Sequence, residues 1–164
     1  VVVSDHEREL LVARLKQDGL TPVSYGNGVA AREAATRFRD GEGDVLVGTA
    51  AHYGEGVDLP GGIAPVIFFL RPGYPPKDDP QAQFEVQRFG GQAWKLWRWR
   101  VMMQMLQVRG RNVRTAEDLG VCFLISQHFR KFAYGALPEW LRPAYRGQLT
   151  MAEAVMEAME LLKK

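Results

Sequence analysis

Four apolar runs of strand length set the strongest limit on how this chain can fold. They are rich in Val, Ile and Phe, lack any alternation of apolar and polar residues, and lie at residues 1–4, 44–48, 63–70 and 119–125. Such runs are typical of parallel strands that are covered on both faces. Because helical patterns separate them, the sequence predicts an α/β fold with an open, mostly parallel sheet and helices on both faces.

The helical patterns fill the intervals between these runs. We predict helices at residues 6–18, 29–39, 80–89, 92–109 and 150–162, and a further short strand at residues 22–25. Residues 71–80 hold four prolines and a glycine, which predicts a surface loop because proline fits neither a helix interior nor a central strand. In open α/β sheets ligands bind at the loops beyond the carboxyl ends of the strands, so candidate site residues are expected there.

Length and composition limit the number of domains and the kinds of covalent, metal and membrane features that this chain can have. A chain of 164 residues, 46% of them hydrophobic, is expected to form one domain over residues 1–164. The single cysteine, Cys122, excludes an internal disulfide and a multi-cysteine metal cluster. No apolar run is long enough to cross a bilayer, so a cytoplasmic setting without membrane contact is expected. Because the chain starts in an apparent strand without an initiator Met, we expect a fragment of a larger protein.

Polar side chains recur along one face of the predicted helix 92–109. Their spacings are four, three and four residues, and they are Arg100, Gln104, Gln107 and Arg111. The net charge of +2 is small, yet the segment from Arg88 to Arg114 holds seven basic residues and no acidic one. One interpretation is that these residues merely cap and solvate the end of the helix, where positive charge suits the macrodipole. Alternatively, guanidiniums can stabilise charge on a phosphoryl group during its transfer.

A glycine-rich segment directly follows the run at 44–48. Residues 48–61 read Gly-Thr-Ala-Ala-His-Tyr-Gly-Glu-Gly-Val-Asp-Leu-Pro-Gly. Taken alone, this segment could be a glycine-rich loop that binds nothing. Its order and separation from the Arg-rich helix end make the combination more specific than either feature.

Together these segments resemble the second RecA-like domain of superfamily 2 DNA helicases of the DinG/XPD group. Gln107-x-x-Gly-Arg-x-x-Arg114, continued by Asp-x-Gly up to residue 120, resembles motif VI, and residues 48–61 resemble motif V. The strand and Ser4 at residues 1–5 resemble motif IV, and the proline-rich loop also matches, so the resemblance spans about residues 1–146. It implies a RecA-like sheet without the phosphate-binding loop, which belongs to the first motor domain.

The resemblance also implies roles for individual residues. It implies that Arg111 and Arg114 are arginine fingers and that Gln107 links ATP binding to the domain interface. It implies contacts to ATP, which is bound with Mg and shared with the first RecA-like domain, from Glu55, Gly56, Asp58 and Gly110. It implies that a single-stranded DNA phosphate is held by Ser4, Gly48 and Thr49. We expect both arginines to matter little for folding, and the isolated chain not to hydrolyse ATP.

Two departures from the family pattern stand out. Motif V is one residue longer than usual, which leaves His52, Tyr53 and Gly54 unmatched, and residues 126–128 read Ser-Gln-His where the group has Asp-x-Arg. Two other functions stay open. One is a non-catalytic RecA-like nucleic-acid-binding module, and the other is the second motor domain of an RNA-directed superfamily 2 enzyme.

The segment at residues 95–100, Lys-Leu-Trp-Arg-Trp-Arg, admits a nucleic-acid role, since aromatic rings stack on bases while cations follow phosphates. Helical spacing instead favours a buried apolar face, formed by Trp94, Trp97, Val101, Met105 and Val108, with at most Lys95, Arg98 and Trp99 facing outward. The three histidines lack metal-ligand spacing, so we predict no metal site and no special role for them.

Overall fold

The computed structural model describes residues 1–54, 57, 59, 62–111, 113, 115, 117–147 and 149–163. Its strands are β1 (Pro22–Ser24), β2 (Val45–Val47), β3 (Val66–Phe69) and β4 (Val121–Leu124). Its helices are α1 (Asp5–Gln17), α2 (Ala31–Arg39), α3 (Ala50–Tyr53), α4 (Pro80–Phe89), α5 (Ala93–Arg109), α6 (Ala133–Ala136) and α7 (Met151–Leu162). Short 3₁₀ turns cover Gly90–Gln92, Gln127–Lys131 and Glu139–Ala144. This mixture of helices and short strands confirms the predicted α/β class.

The strands form two parallel pairs. β1 pairs with β2, with Val23 opposite Leu46, and β3 pairs with β4, with Phe68 opposite Phe123. Parallel pairing confirms what the unalternating apolar runs predicted, because such strands need cover on both faces.

The first residues of the chain lie between the two pairs. The Val2 amide donates to the Gly48 carbonyl at 3.0 Å, and the Leu70 amide donates to the Val1 carbonyl at 3.1 Å. The N-terminal segment thus connects the end of β2 with the end of β3. All these strands point the same way, so their carboxyl ends meet at one edge.

The predicted strand over residues 1–4 is reduced to one parallel bridge, between Val2 and Thr49. The reason is local hydrogen bonding. Ser4 caps α1 by accepting from the Glu7 amide, and the Glu7 carboxylate accepts from the Val3 amide at 3.0 Å. The Val3 amide is therefore used by the helix cap, and the chain enters α1 instead of extending the strand.

The longest helix, α5, carries much of the core. Trp97, Val101, Met105 and Val108 are buried, as their spacing predicted. Phe129 and Phe132 from the segment after β4 pack with the last three of these in one cluster, whereas Trp97 packs against α4 in another. Burial of these side chains fixes α5 beside β3 and β4.

The prediction of a buried Trp94 is wrong, because 48% of this residue is exposed. It lies in the first turn of α5, where Tyr74 and Trp97 pack edge-on against its ring. Trp99 faces outward with 58% exposure, as allowed for in the sequence interpretation. Helical spacing alone did not show where along α5 the core begins.

Within the glycine-rich segment 48–61, where the sequence analysis predicted no helix, α3 occupies Ala50–Tyr53. Tyr53 is buried and packs with Val23, Ala34 and Val57 in a second core cluster. One helical turn thus anchors the glycine-rich segment to β1 and α2. Within the described part of the chain, no helix is long and apolar enough to cross a membrane.

Candidate nucleotide and nucleic-acid site

A cavity of about 750 Å³ lies at the carboxyl edge of the strands. Ser4 after the N-terminal segment, Thr49 after β2 and Arg71 after β3 all line it. Lys77 of the proline-rich loop and Gln104 of α5 line it as well. The structure therefore brings together Ser4 and Thr49, two of the residues that the resemblance assigns to DNA.

Gly48, the third predicted DNA residue, has a packing reason to be glycine. A Cβ at this position would overlap the Tyr53 ring. Its carbonyl accepts the Val2 amide, so its backbone joins the N-terminal segment to β2. Gly48 allows the turn of α3 to fold back closely over the strand end.

Thr49 is buried, with 8% exposure, and its hydroxyl already has partners. Its Oγ1 lies 2.8 Å from Nδ1 of His52 and 3.4 Å from the Tyr25 hydroxyl. The His52 ring stacks on the Tyr25 ring with 4.1 Å between centroids, and His52 itself is exposed. The sequence analysis gave His52 no role, and the one available signal was the extra residue in motif V.

The negative charge of Asp5, which lies beside Tyr25 and His52, is paired with a positive one. The Tyr25 hydroxyl donates to Oδ1 of Asp5 at 2.8 Å, and the buried Arg8 pairs with the same oxygen at 3.2 Å. These two contacts hold the pKa of Asp5 below its usual range. Burial raises the pKa of Tyr25, so its hydroxyl keeps its proton and acts as a donor.

The predicted nucleotide motif and the glycine-rich segment meet at Gly54. The Arg111 guanidinium donates from Nε to the Gly54 carbonyl at 3.0 Å, and its Nη2 donates to the same oxygen. The Leu59 amide donates to the Arg111 carbonyl at 3.2 Å. Our expectation that Arg111 matters little for folding needs correction, because its side chain fastens one motif to the other.

Gln107 and Gly110 lie beside this contact. Gln107 is exposed, and its Oε1 would lie 3.8 Å from a Cβ at Gly54. Gly110 ends α5 with a φ of −66°, and a Cβ there would meet the Leu106 carbonyl at an ordinary 3.4 Å. The fold itself therefore does not require glycine at position 110, and the close approach of a ligand or partner would explain it.

The polar residues predicted on one face of α5 have two different kinds of contact, one with α4 and one with the candidate site. Arg100 pairs with the buried Glu85 at 2.6 Å, and Glu85 also accepts from Nε1 of Trp97 at 2.6 Å. Arg100 thus stabilises the packing of α4 on α5, contrary to the expectation of one continuous ligand-facing stripe. Gln104 lines the cavity, whereas Gln107 and Arg111 face the glycine-rich segment.

Several predicted site residues lie outside the described part of the chain, namely Glu55, Gly56, Asp58 and Arg114. In the part that the structure does describe, no three His, Cys, Asp or Glu side chains cluster as metal ligands.

A cavity at the carboxyl ends of parallel strands is the place where open α/β sheets bind ligands. Residues 5–144 match the family model of the helicase C-terminal domain. The chain therefore belongs to the helicase C-terminal domain family, the C-terminal motor domain of DinG/XPD-type helicases. No curated protein matches the chain.

Family membership carries general consequences. The family implies an ATP-dependent helicase as the full-length protein, with use of ATP and Mg and contact with nucleic acid. Helix α7 lies beyond the matched residues.

Proposed function

We propose that this chain is the second RecA-like motor domain of an ATP-dependent DNA helicase, with an open sheet covered by helices on both faces. In this proposal it closes on a first RecA-like domain around ATP and holds part of a single DNA strand. Gln107, Arg111 and Arg114 serve hydrolysis, Glu55, Gly56, Asp58 and Gly110 lie toward the nucleotide, and Ser4, Gly48 and Thr49 lie toward the strand.

One observation carries the proposal: helix α3 joins the two proposed ligand sites. Thr49, which precedes α3, lines the cavity at the sheet edge. Gly54, which follows α3, accepts the Arg111 guanidinium. A single helical turn therefore lies between the proposed strand contact and the proposed nucleotide contact, so movement at one end would reach the other.

The residues fit a nucleotide phosphate. Among the described residues, Arg111 gives two of its five N–H groups to a neutral carbonyl, and its three other donors can serve an anion. A bound triphosphate with Mg would supply the phosphoryl group, and planar guanidiniums can stabilise its negative oxygens in two-pronged contacts. Gln107, exposed beside Gly54, can donate or accept at the same interface.

The cavity suits a phosphate backbone for reasons of charge. Arg71 and Lys77 are exposed at its rim, and Ser4 supplies a hydroxyl. Arg71 already pairs with Glu7 at 2.5 Å, and the Asp79 carboxylate, which also lines the cavity, accepts from the Ala82 amide, so Lys77 is the stronger candidate for a phosphate contact. Contacts of this kind give affinity that depends on salt and little on base sequence.

The proposal is tested by measuring the affinity of this chain for single-stranded DNA across salt concentrations. Weak, salt-dependent binding is expected, and Lys77→Ala should reduce the slope of log K against log salt by about 0.7. Lys131→Ala, at an exposed lysine of the 3₁₀ turn after β4, is the matched control and should leave the slope unchanged. Binding that ignores salt, or equal slopes for both variants, would contradict the proposed strand contact.

Three further observations separate the alternatives. Preference for RNA over DNA of the same sequence would favour an RNA-directed enzyme. ATP hydrolysis by the isolated chain at on the order of 1–100 per second would contradict a domain that needs a partner. A full-length protein without a phosphate-binding loop would favour the non-catalytic binding module.

A further inference from the structure

We infer that His52 is a DNA-phosphate-binding residue, and that Thr49 acts mainly by orienting it. This inference rests on the proposed function and assigns a specific donor to its strand-binding site. It begins with the observation that the Thr49 side chain is buried and already hydrogen-bonded, whereas His52 beside it is exposed.

The hydrogen-bond partners of Tyr25 and Thr49 indicate which nitrogen of His52 carries the proton. An ionised Asp5 carboxylate can only accept, so the Tyr25 hydroxyl donates its hydrogen bond to Oδ1 of Asp5 at 2.8 Å. The nearest acceptor for the Thr49 hydroxyl is then Nδ1 of His52 at 2.8 Å, against 3.4 Å to the Tyr25 oxygen. Donation from Thr49 to Nδ1 places the proton of the neutral imidazole on Nε2.

An imidazole of this tautomer offers one N–H donor away from Thr49. The ring is held in place by its stacking on Tyr25, with 4.1 Å between centroids and 30° between planes. The nearby Asp5 carboxylate is paired with Arg8 and Tyr25, which limits its repulsion of an anion. A phosphodiester oxygen, which only accepts, is the complementary ligand.

The position of His52 matches this role. It lies in α3, three residues after Thr49 and two before Gly54 along the chain, and its ring packs on Tyr25 beside the cavity-lining Thr49, outside the cavity itself. The residue falls in the stretch where motif V is one residue longer than the family pattern. The longer motif would thus provide a strand contact particular to this chain.

Two substitutions separate phosphate binding from a purely structural role. In His52→Asn the amide oxygen can take the place of Nδ1 and accept from the Thr49 hydroxyl, but the Nε2 donor is lost. In His52→Gln the amide nitrogen reaches the Nε2 position. We expect His52→Asn to weaken binding to oligothymidylate about tenfold, the usual scale for a hydrogen bond to a charged group, and His52→Gln to restore much of it. The opposite ranking would overturn the inference.

The salt dependence gives an independent readout. A neutral donor releases no counterion, so at pH 8 His52→Asn should lower affinity equally at every salt concentration, whereas Lys77→Ala changes the slope. His128→Asn, at an exposed histidine of the turn after β4, is the matched control and should bind like the unmodified chain.

Nitrogen-15 NMR of the three histidines shows which ring nitrogen of His52 carries the proton, and this test does not depend on enzyme activity. In the free chain we expect unprotonated Nδ1 and protonated Nε2 at His52, and a shift of the Nε2–H signal when oligothymidylate is added. A protonated Nδ1 with an unprotonated Nε2 would overturn this inference and leave the proposed function intact. The same holds if the chain binds oligothymidylate while the His52 Nε2–H signal does not shift. Failure of the unmodified chain to bind single strands would overturn the proposed strand contact and this inference together.

Discussion

Arg111→Ala should destabilise this chain measurably, because the side chain fastens motif VI to motif V. It removes two guanidinium hydrogen bonds to the carbonyl of the buried Gly54. A hydrogen bond with one charged partner contributes about 1.5–3 kcal/mol to stability. The backbone contact from the Leu59 amide to the Arg111 carbonyl survives the substitution. We therefore expect the free energy of unfolding to fall by about 1.5–3 kcal/mol.

The assay is urea unfolding of Arg111→Ala, measured in parallel with two comparison variants. Arg111→Lys keeps the charge but not the planar fork, so it should recover part of the loss. Arg130→Ala, at an exposed arginine, should stay within about 0.5 kcal/mol of the unmodified chain. A small domain with stability of about 5–15 kcal/mol remains folded after the Arg111 change. If Arg111→Ala unfolds at the same urea concentration as Arg130→Ala, the contact with Gly54 does not stabilise the domain and our reasoning fails.

Three further predictions concern other residues. Hydrogen bonding from Arg100 and Trp97 lowers the pKa of Glu85 to about 2, so the carboxylate stabilises the fold fully above its unfolded pKa near 4.3 and loses this effect as the pH falls toward 2. The melting temperature of the unmodified chain should therefore exceed that of Glu85→Gln by less and less over this pH range. A constant difference would contradict the assignment. Burial raises the pKa of Cys122 to about 11, so alkylation at pH 8 should be slow in the folded chain and fast in urea, and equal rates would refute this. Gly110→Ala should leave the melting temperature of this chain unchanged, since a Cβ fits, while it lowers ATP hydrolysis by the full-length protein; a loss of melting temperature would instead show that the fold needs this glycine.

The sequence allowed the main elements of the fold to be predicted because burial leaves a clear periodic pattern. The parallel pairing of β3 with β4 follows from apolar runs without alternation, whereas β1, the partner of β2, was predicted only as a short strand. Trp97 followed from helical spacing, but Trp94 did not, since spacing gives the face of a helix and not the depth of the core along it.

Tertiary contacts explain what the sequence could not predict at the site. Ser4 and Thr49 could be predicted to share the sheet edge, because each follows a parallel strand. The partners of Arg111 and Arg100 could not be predicted, since Gly54 and Glu85 reach them only through packing of α5 on α3 and α4. The contact of Thr49 with His52 is local, but it depends on α3, which the sequence analysis did not predict. Pattern matching passed over His52 because motif V has an extra residue there.

ATP hydrolysis by the full-length protein tests the central claim most directly. Phosphate release in the presence of single-stranded DNA should fall about a hundredfold or more in Arg111→Ala, given the 10³–10⁵ attributed to arginine fingers. Arg111→Lys should recover the rate only in part, and Arg130→Ala should match the unmodified protein. A folded Arg111→Ala protein that hydrolyses ATP at the unmodified rate would contradict the account of this domain as the one that supplies arginine to the motor.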